Sequence, residues 1–116
     1  MEHPKKPNGW NELLQLVCSN TEGVTIDNIF QKTRKTEIVL ARRMFCNLVT
    51  RSIGRHLSQK EIIEHLGPQW NDRSILSYYE KCHKNQYKVD KRYQATFKKL
   101  LHESKQIAVY YTRTAA

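Results

Sequence analysis

Acidic side chains are scarce in this chain: Asp and Glu number 11 against 20 Lys and Arg in 116 residues, a formal charge of +9 with a pI near 9.6. Cysteine is scarcer, and Cys18, Cys46 and Cys82 stand far apart with no CxxC spacing. An odd count so arranged argues against a disulfide scaffold and a zinc site, and reads as small core hydrophobes in a reducing compartment. The four glycines, at 9, 23, 54 and 67, are scattered as turn and cap residues with no GxxxxGK phosphate loop, so no nucleotide binding is assigned. There is no long apolar run and mean hydropathy is -0.73, which excludes a membrane-spanning helix. Met1 to Asn8 is polar and basic with no apolar stretch behind it, so no signal peptide is expected and a cytoplasmic, nucleoid-associated location in a bacterial or phage-infected cell is read. Catalytic pairings are missing as well. Cys82 beside His83, and His65 one turn beyond Glu61, are the nearest approach, but sequence neighbours on a helix point about 100° apart. No catalytic residue, metal or cofactor is assigned, and the chain is not read as an enzyme.

What the chain has is helical periodicity. Trp10, Leu13, Leu14, Val17 and Cys18 fall at i, i+3, i+4, i+7 and i+8, a full stripe for a first helix ending near Asn20. Gly23 and Thr25 then allow a second helix of one or two turns through Ile26, Ile29 and Phe30. A long helix can begin at Thr36 and end at Gly54, with Ile38, Ala41, Phe45 and Leu48 as its inward stripe. Asp90 is a fair N-cap for a last helix whose Tyr93, Phe97, Leu100 and Leu101 share one face. The tail from Gln106 either extends that helix or frays. The expectation is an all-α bundle of about six helices: a loose basic arm at 1–9, one domain at 10–105, and the tail at 106–116.

Leu57 to His83 reads as a short helix, a tight break and a longer helix, the pattern of a helix-turn-helix. Ser58 can cap the first helix and Glu61, three residues on, completes a capping box. Ile62, Ile63 and Leu66 form its inward stripe, and Gly67-Pro68 stops it. The second helix should start near Asn71 or Asp72, burying Ile75, Tyr79 and Cys82. Its outer face then carries Arg73, Ser74, Ser77, Lys81 and Lys84, polar and basic at both ends, which suits a groove in nucleic acid. Two amphipathic helices around a Gly-Pro turn also occur in any small bundle, so a plain packing role stays open for this stretch. Trp70, in the turn, either packs under the loop or stacks on nucleic acid; Tyr78 and Tyr79 read as core and core rim.

The positive charge is concentrated ahead of the long helix. Of the twelve positions from Lys32 to Arg43, five are basic (Lys32, Arg34, Lys35, Arg42, Arg43) and only Glu37 is acidic. A solvated helix face mixes the two signs, so the bias points to a phosphate backbone nearby. An acidic protein partner satisfies the same charge, which keeps a protein-interaction module as the alternative; RNA fits less well because an A-form major groove is too narrow for a helix.

In KTRKTEIVLARRM, LSQKEIIEHLG and the SIL at Ser74 to Leu76, the chain resembles the C-terminal box-binding domain of the bacterial DnaA-type replication initiators, a member of the Trp repressor-like group of folds. The first segment is similar to the family's Ser-Lys-x-Arg-Lys run leading into Ile-Val-x-x-Arg-Gln, the second to its Leu-Ser-x-x-Glu-Ile segment, and the resemblance covers about residues 10 to 105. It implies binding of double-stranded DNA, with Arg42 entering the minor groove, Arg34 and Lys35 on phosphates, and Ser58, Gln59 and Lys60 offering a helix start to a phosphate. It further implies that Asn71, Asp72, Arg73, Ser74 and Ser77 face the major groove. The family's Gly-Arg-Asp-His-Thr-Thr stretch is replaced here by the longer Pro68-Gln69-Trp70-Asn71-Asp72-Arg73-Ser74, and two residues are added near Arg55 and His56.

Overall fold

The computed structural model describes residues 6–67, 70 and 74–114. Pro68, Asn71, Asp72 and Arg73, and with them the expected cap of the second helix-turn-helix element, lie outside the described residues. Among the described residues five helices follow one another: α1 (Trp10–Ser19), α2 (Thr36–Arg51), α3 (Gln59–Leu66), α4 (Ser74–Val89) and α5 (Lys91–Thr114). No strand occurs among the described residues. The sixth expected helix, at Ile26 to Phe30, is a single unfinished turn in which Thr25 O accepts from Asn28 N and Ile29 N. Thr25 and Asn28 exchange side-chain bonds there, Thr25 N donating to Asn28 Oδ1 and Asn28 N to Thr25 Oγ1. These local bonds satisfy the backbone without a helix, the usual competition offered by Thr and Asn.

Helix α2 is the centre of the bundle and packs against α1, α4 and α5. Its second half is buried almost all round, with Phe45, Cys46, Leu48 and Val49 in the core. Around its middle, Trp10 meets Phe45 edge-on at 5.0 Å and Phe30 meets Phe45 at 5.6 Å, so α1 and the 25–30 turn close on the same ring. The stripe read for α1 is buried at Trp10, Leu13, Leu14 and Val17. Gly9 caps α1 at φ 90, and a Cβ there would meet Ile107 Cγ2 at 2.7 Å, so both conformation and the approach of α5 require glycine. Pro7 to Gly9, expected in the loose arm, thus belong to the fold: Pro7 O accepts from Trp10 N and Gly9 is buried.

At α3 the capping box forms as read: Ser58 Oγ accepts from Glu61 N and Glu61 Oε1 from Ser58 N, both at 3.2 Å. Ile62, Ile63 and Leu66 are buried, and Gly67 leaves the helix at φ 123. On α5, Asp90 Oδ1 accepts from Tyr93 N, and the helix continues through the expected tail to Thr114. Its 24 residues reach about 36 Å, close to the 40 Å long dimension of the molecule. No helix among the described residues is long and apolar enough to cross a membrane.

Helix α4 is rotated from its expected setting. It buries Leu76, Tyr79 and His83, while Ile75 and Cys82 are half-buried. The reason is the pocket α5 offers to an imidazole: His83 lies 4.2 Å from the Phe97 ring and its Nδ1 shares a 2.7 Å hydrogen bond with the Tyr93 hydroxyl. Burial, and then the nearby Arg51 charge, hold His83 down to about 4, and burial pushes Tyr93 up to about 12. Both are therefore neutral at pH 7. An unfolded histidine takes up its proton near pH 6.5, so the unfolded chain binds more protons below that value and stability falls with pH between 6.5 and 4. Urea titrations should show stability lower by about 2 kcal/mol at pH 5 than at pH 7.5 from this group, and His83→Gln should flatten that slope. An unchanged slope would remove His83 as its source.

Candidate nucleic-acid interface

Helix N-termini gather backbone N–H groups without intrahelical partners and carry the positive end of the helix dipole. Two helix starts meet here. Ser58, Gln59 and Lys60 at α3 and Ser74 and Ser77 at α4 line one open groove. Gln59 Nε2 donates to Ser77 Oγ across it at 3.4 Å. All five residues are exposed. The capping box takes the N–H groups of Ser58 and Glu61 and holds the Glu61 carboxyl below its usual range, which leaves the N–H groups of Gln59 and Lys60 to a ligand or to solvent. Ser74, Ser77 and Lys81 stand at i, i+3 and i+7, so the exposed lysine extends the polar face of α4 away from the groove.

The basic loop before α2 is also exposed at Lys32, Arg34 and Lys35. Lys32 Nζ sits 5.8 Å from the Trp70 ring centre, which places the loop beside the α3–α4 connection. Positive charge at the surface is left largely unneutralised. Among the described residues one ion pair forms, Lys84 to Glu80 at 3.6 Å.

Arg42 is the main correction. It is 3% exposed, and its guanidinium is used up inside the protein. Nε donates to Ile29 O at 2.8 Å, Nη2 to Gln31 O, and Nη1 to the Tyr79 hydroxyl at 3.3 Å. The guanidinium carbon lies over the Trp70 ring, 4.3 Å from its centre, a cation–π contact. A side chain held in this way cannot enter a minor groove, and the role implied by resemblance is withdrawn. Arg43 is half-buried and its Nη2 donates to Gln86 Oε1 at 3.2 Å, so it ties α2 to α4 rather than standing free beside a backbone.

Trp70 takes the packing alternative: it is 9% exposed, and its indole N–H donates to Phe30 O at 2.9 Å. Tyr79 is core, as read, but Tyr78 is 61% exposed and presents an aromatic ring beside the outer face of α4. Helix phase carried the signal for that, because Tyr78 lies four residues past Ser74 and about 100° from Tyr79. No group of three or more His, Cys, Asp or Glu side chains among the described residues could hold a metal ion. Cys46 lies in the core with its thiol pushed up to about 12 by burial, which leaves it unreactive.

Comparison of the chain with protein-family models, with curated proteins and with solved structures finds no match in any of the three. The likeness to the initiator domain thus rests on the quoted segments alone.

Arg42→Met keeps much of the side-chain volume but leaves two carbonyls and a hydroxyl without their donor. It should lower unfolding free energy by about 2–4 kcal/mol in urea titration. A stability loss below about 0.5 kcal/mol, the scale of a neutral surface change, would show that the guanidinium is not the internal tie described.

Proposed function

We propose that the chain is a double-stranded DNA-binding module in which α3 and α4 act as a helix-turn-helix, with the start of α4 directed to the major groove. The observation that carries this reading is the groove where Ser58, Gln59, Lys60, Ser74 and Ser77 come together. Its donors are backbone N–H groups, hydroxyls, an amide and an ammonium, the set that phosphate oxygens and base edges accept. The exposed loop at Lys32, Arg34 and Lys35 adds phosphate contacts from beside the α3–α4 connection. Arg42 serves this surface at one remove, by fixing the loop to α4. A role in replication or transcription control goes with this reading, supported by the resemblance of the quoted segments to the initiator domain. Departure from that family's Gly-Arg-Asp-His-Thr-Thr stretch goes with a different base preference.

Fluorescence anisotropy with a random-sequence duplex of about 20 base pairs tests the reading. At 50 mM salt the wild-type chain should bind with micromolar affinity or better, weakening steeply toward 200 mM as counterions are released. Lys60→Ala with Lys81→Ala should make the log–log salt slope shallower by about 1.8, about 0.9 for each phosphate that is no longer neutralised. No binding at 50 mM, or binding indifferent to salt, would overturn the proposal in favour of a protein-interaction module.

A further inference from the structure

Three clefts on this molecule share walls. Gln59, at the groove where α3 and α4 start, also lines a second cleft of about 370 Å³, bounded by Asn47, Thr50, Gly54 and Leu57 and carrying one carboxylate, Glu80, which pairs with Lys84. That cleft shares Arg51 and Arg55 with a third, which lies between the turn after α2 and the far part of α5. Arg51, Arg55, His56 and Lys105 line the third cleft together with Ser52, Thr112 and the apolar Ala108 and Val109, and among the described residues no carboxylate does.

The folded state explains only part of this crowd. Arg51 closes the last turn of α2, where a cation meets the negative end of the helix dipole. Its Nη1 donates to Asn47 O at 3.0 Å and to Asn47 Oδ1 at 3.1 Å, which fixes the guanidinium at the wall between the two clefts. Arg55 and Lys105 have no such place. Both are exposed, neither enters a salt bridge among the described residues, and each lines a cleft that Arg51 also lines. Like charges gathered without an acid between them oppose folding and attract an anion.

We propose that this third cleft is a second phosphate-binding segment for the same duplex, so that a DNA backbone runs from Lys60 at the start of α3 past Arg55 to Lys105 on α5. The inference rests on the duplex-binding reading above. It adds contact residues at the end of α2 and on α5, away from the basic loop at 32–35. Arg51 is a positioning residue in this path, because its own bonds hold the shared wall. Duplex DNA is favoured over an acidic peptide because Lys60, Arg55 and Lys105 stand on three separate elements, in clefts that share wall residues, an arrangement that suits a long, regularly charged rod.

Arg55→Ala with Lys105→Ala removes two exposed cations without touching the core. On a random duplex of about 20 base pairs this variant should bind roughly tenfold or more weakly at 0.1 M salt, with a slope shallower by about 1.8 and a thermal melt no lower than that of the wild-type chain. A shallower slope with the melt intact supports the path. If the wild-type chain binds duplex and the variant keeps its affinity and slope, the second segment is overturned while the α3–α4 reading stands. Should the wild-type chain bind no duplex, both fall; loss of affinity for a poly-glutamate probe but not for duplex would assign the cleft to a protein partner instead.

Discussion

A single buried guanidinium joins four separate parts of this chain. Arg42 leaves the centre of α2, bonds the carbonyls of Ile29 and Gln31 in the turn before it, reaches the Tyr79 hydroxyl on α4, and lies on the face of Trp70 between α3 and α4. No carboxylate pairs with it among the described residues, so its desolvation is offset by carbonyl dipoles, a hydroxyl and a π face. Arginine can do this where lysine cannot. Its charge is spread over a plane, weakly hydrated, and its donors point in several fixed directions at once. Remove it and the basic loop loses its anchor to the connection from which α4 starts; the placing of an exposed loop depends on an unexposed cation.

The sequence was most legible where one residue's chemistry decides a local structure. Ser58 and Glu61 form the capping box they spell, Asp90 accepts from Tyr93 N, and the stripe of Trp10, Leu13, Leu14 and Val17 is buried. Each of these needs only short-range geometry. Arg42 was misplaced because a run of basic residues invites counting charge rather than following helix phase. Ile38, Arg42, Phe45 and Val49 fall at i, i+4, i+7 and i+11, so Arg42 sits on the buried stripe itself. A helical spacing of i, i+3 and i+7 likewise links Leu76, Tyr79 and His83 on α4. In both cases the sequence carried the phase, and the assumption that a polar residue faces water hid it. What phase could not supply is the partner: nothing local says that α5 presents Phe97 and Tyr93 to an imidazole, or that Trp70 waits for a guanidinium.

The candidate groove lies between these extremes. Ser58, Gln59 and Lys60 were placed at a helix start by capping rules, and Ser74 and Ser77 on an outward face by the α4 stripe, but their meeting across Gln59 and Ser77 depends on how α3 and α4 cross. That crossing is set by contacts distant in sequence: Tyr79 against Arg42, the Tyr79 carbonyl against Asn47 Nδ2, and Trp70 against Phe30 O. Arg55 and His56 were visible only as an interruption of the initiator-like pattern. In the folded chain they line a cleft with Lys105, half the sequence away.

Net charge overstates how much of this protein is available to a polyanion, and the two basic side chains divide the excess unevenly. Three of the arginines on and around α2, Arg42, Arg43 and Arg51, donate hydrogen bonds to the protein's own carbonyl, amide or hydroxyl oxygens. Lys32, Lys35, Lys60, Lys81 and Lys105 remain at the surface, with Arg34 and Arg55 among them, and no lysine of the described residues is buried. The division follows from hydration, because an ammonium gives up water at greater cost than a guanidinium and finds fewer directions in which to replace it. A basic composition therefore contains two populations, structural arginines that organise helices and solvated cations that a partner can reach. On this chain Arg42, of the first population, fixes the turn that leads into the exposed loop at Lys32, Arg34 and Lys35. Stability separates the two: losing a tie such as Arg42 leaves buried acceptors without a donor, whereas losing an exposed cation leaves the internal hydrogen bonds intact.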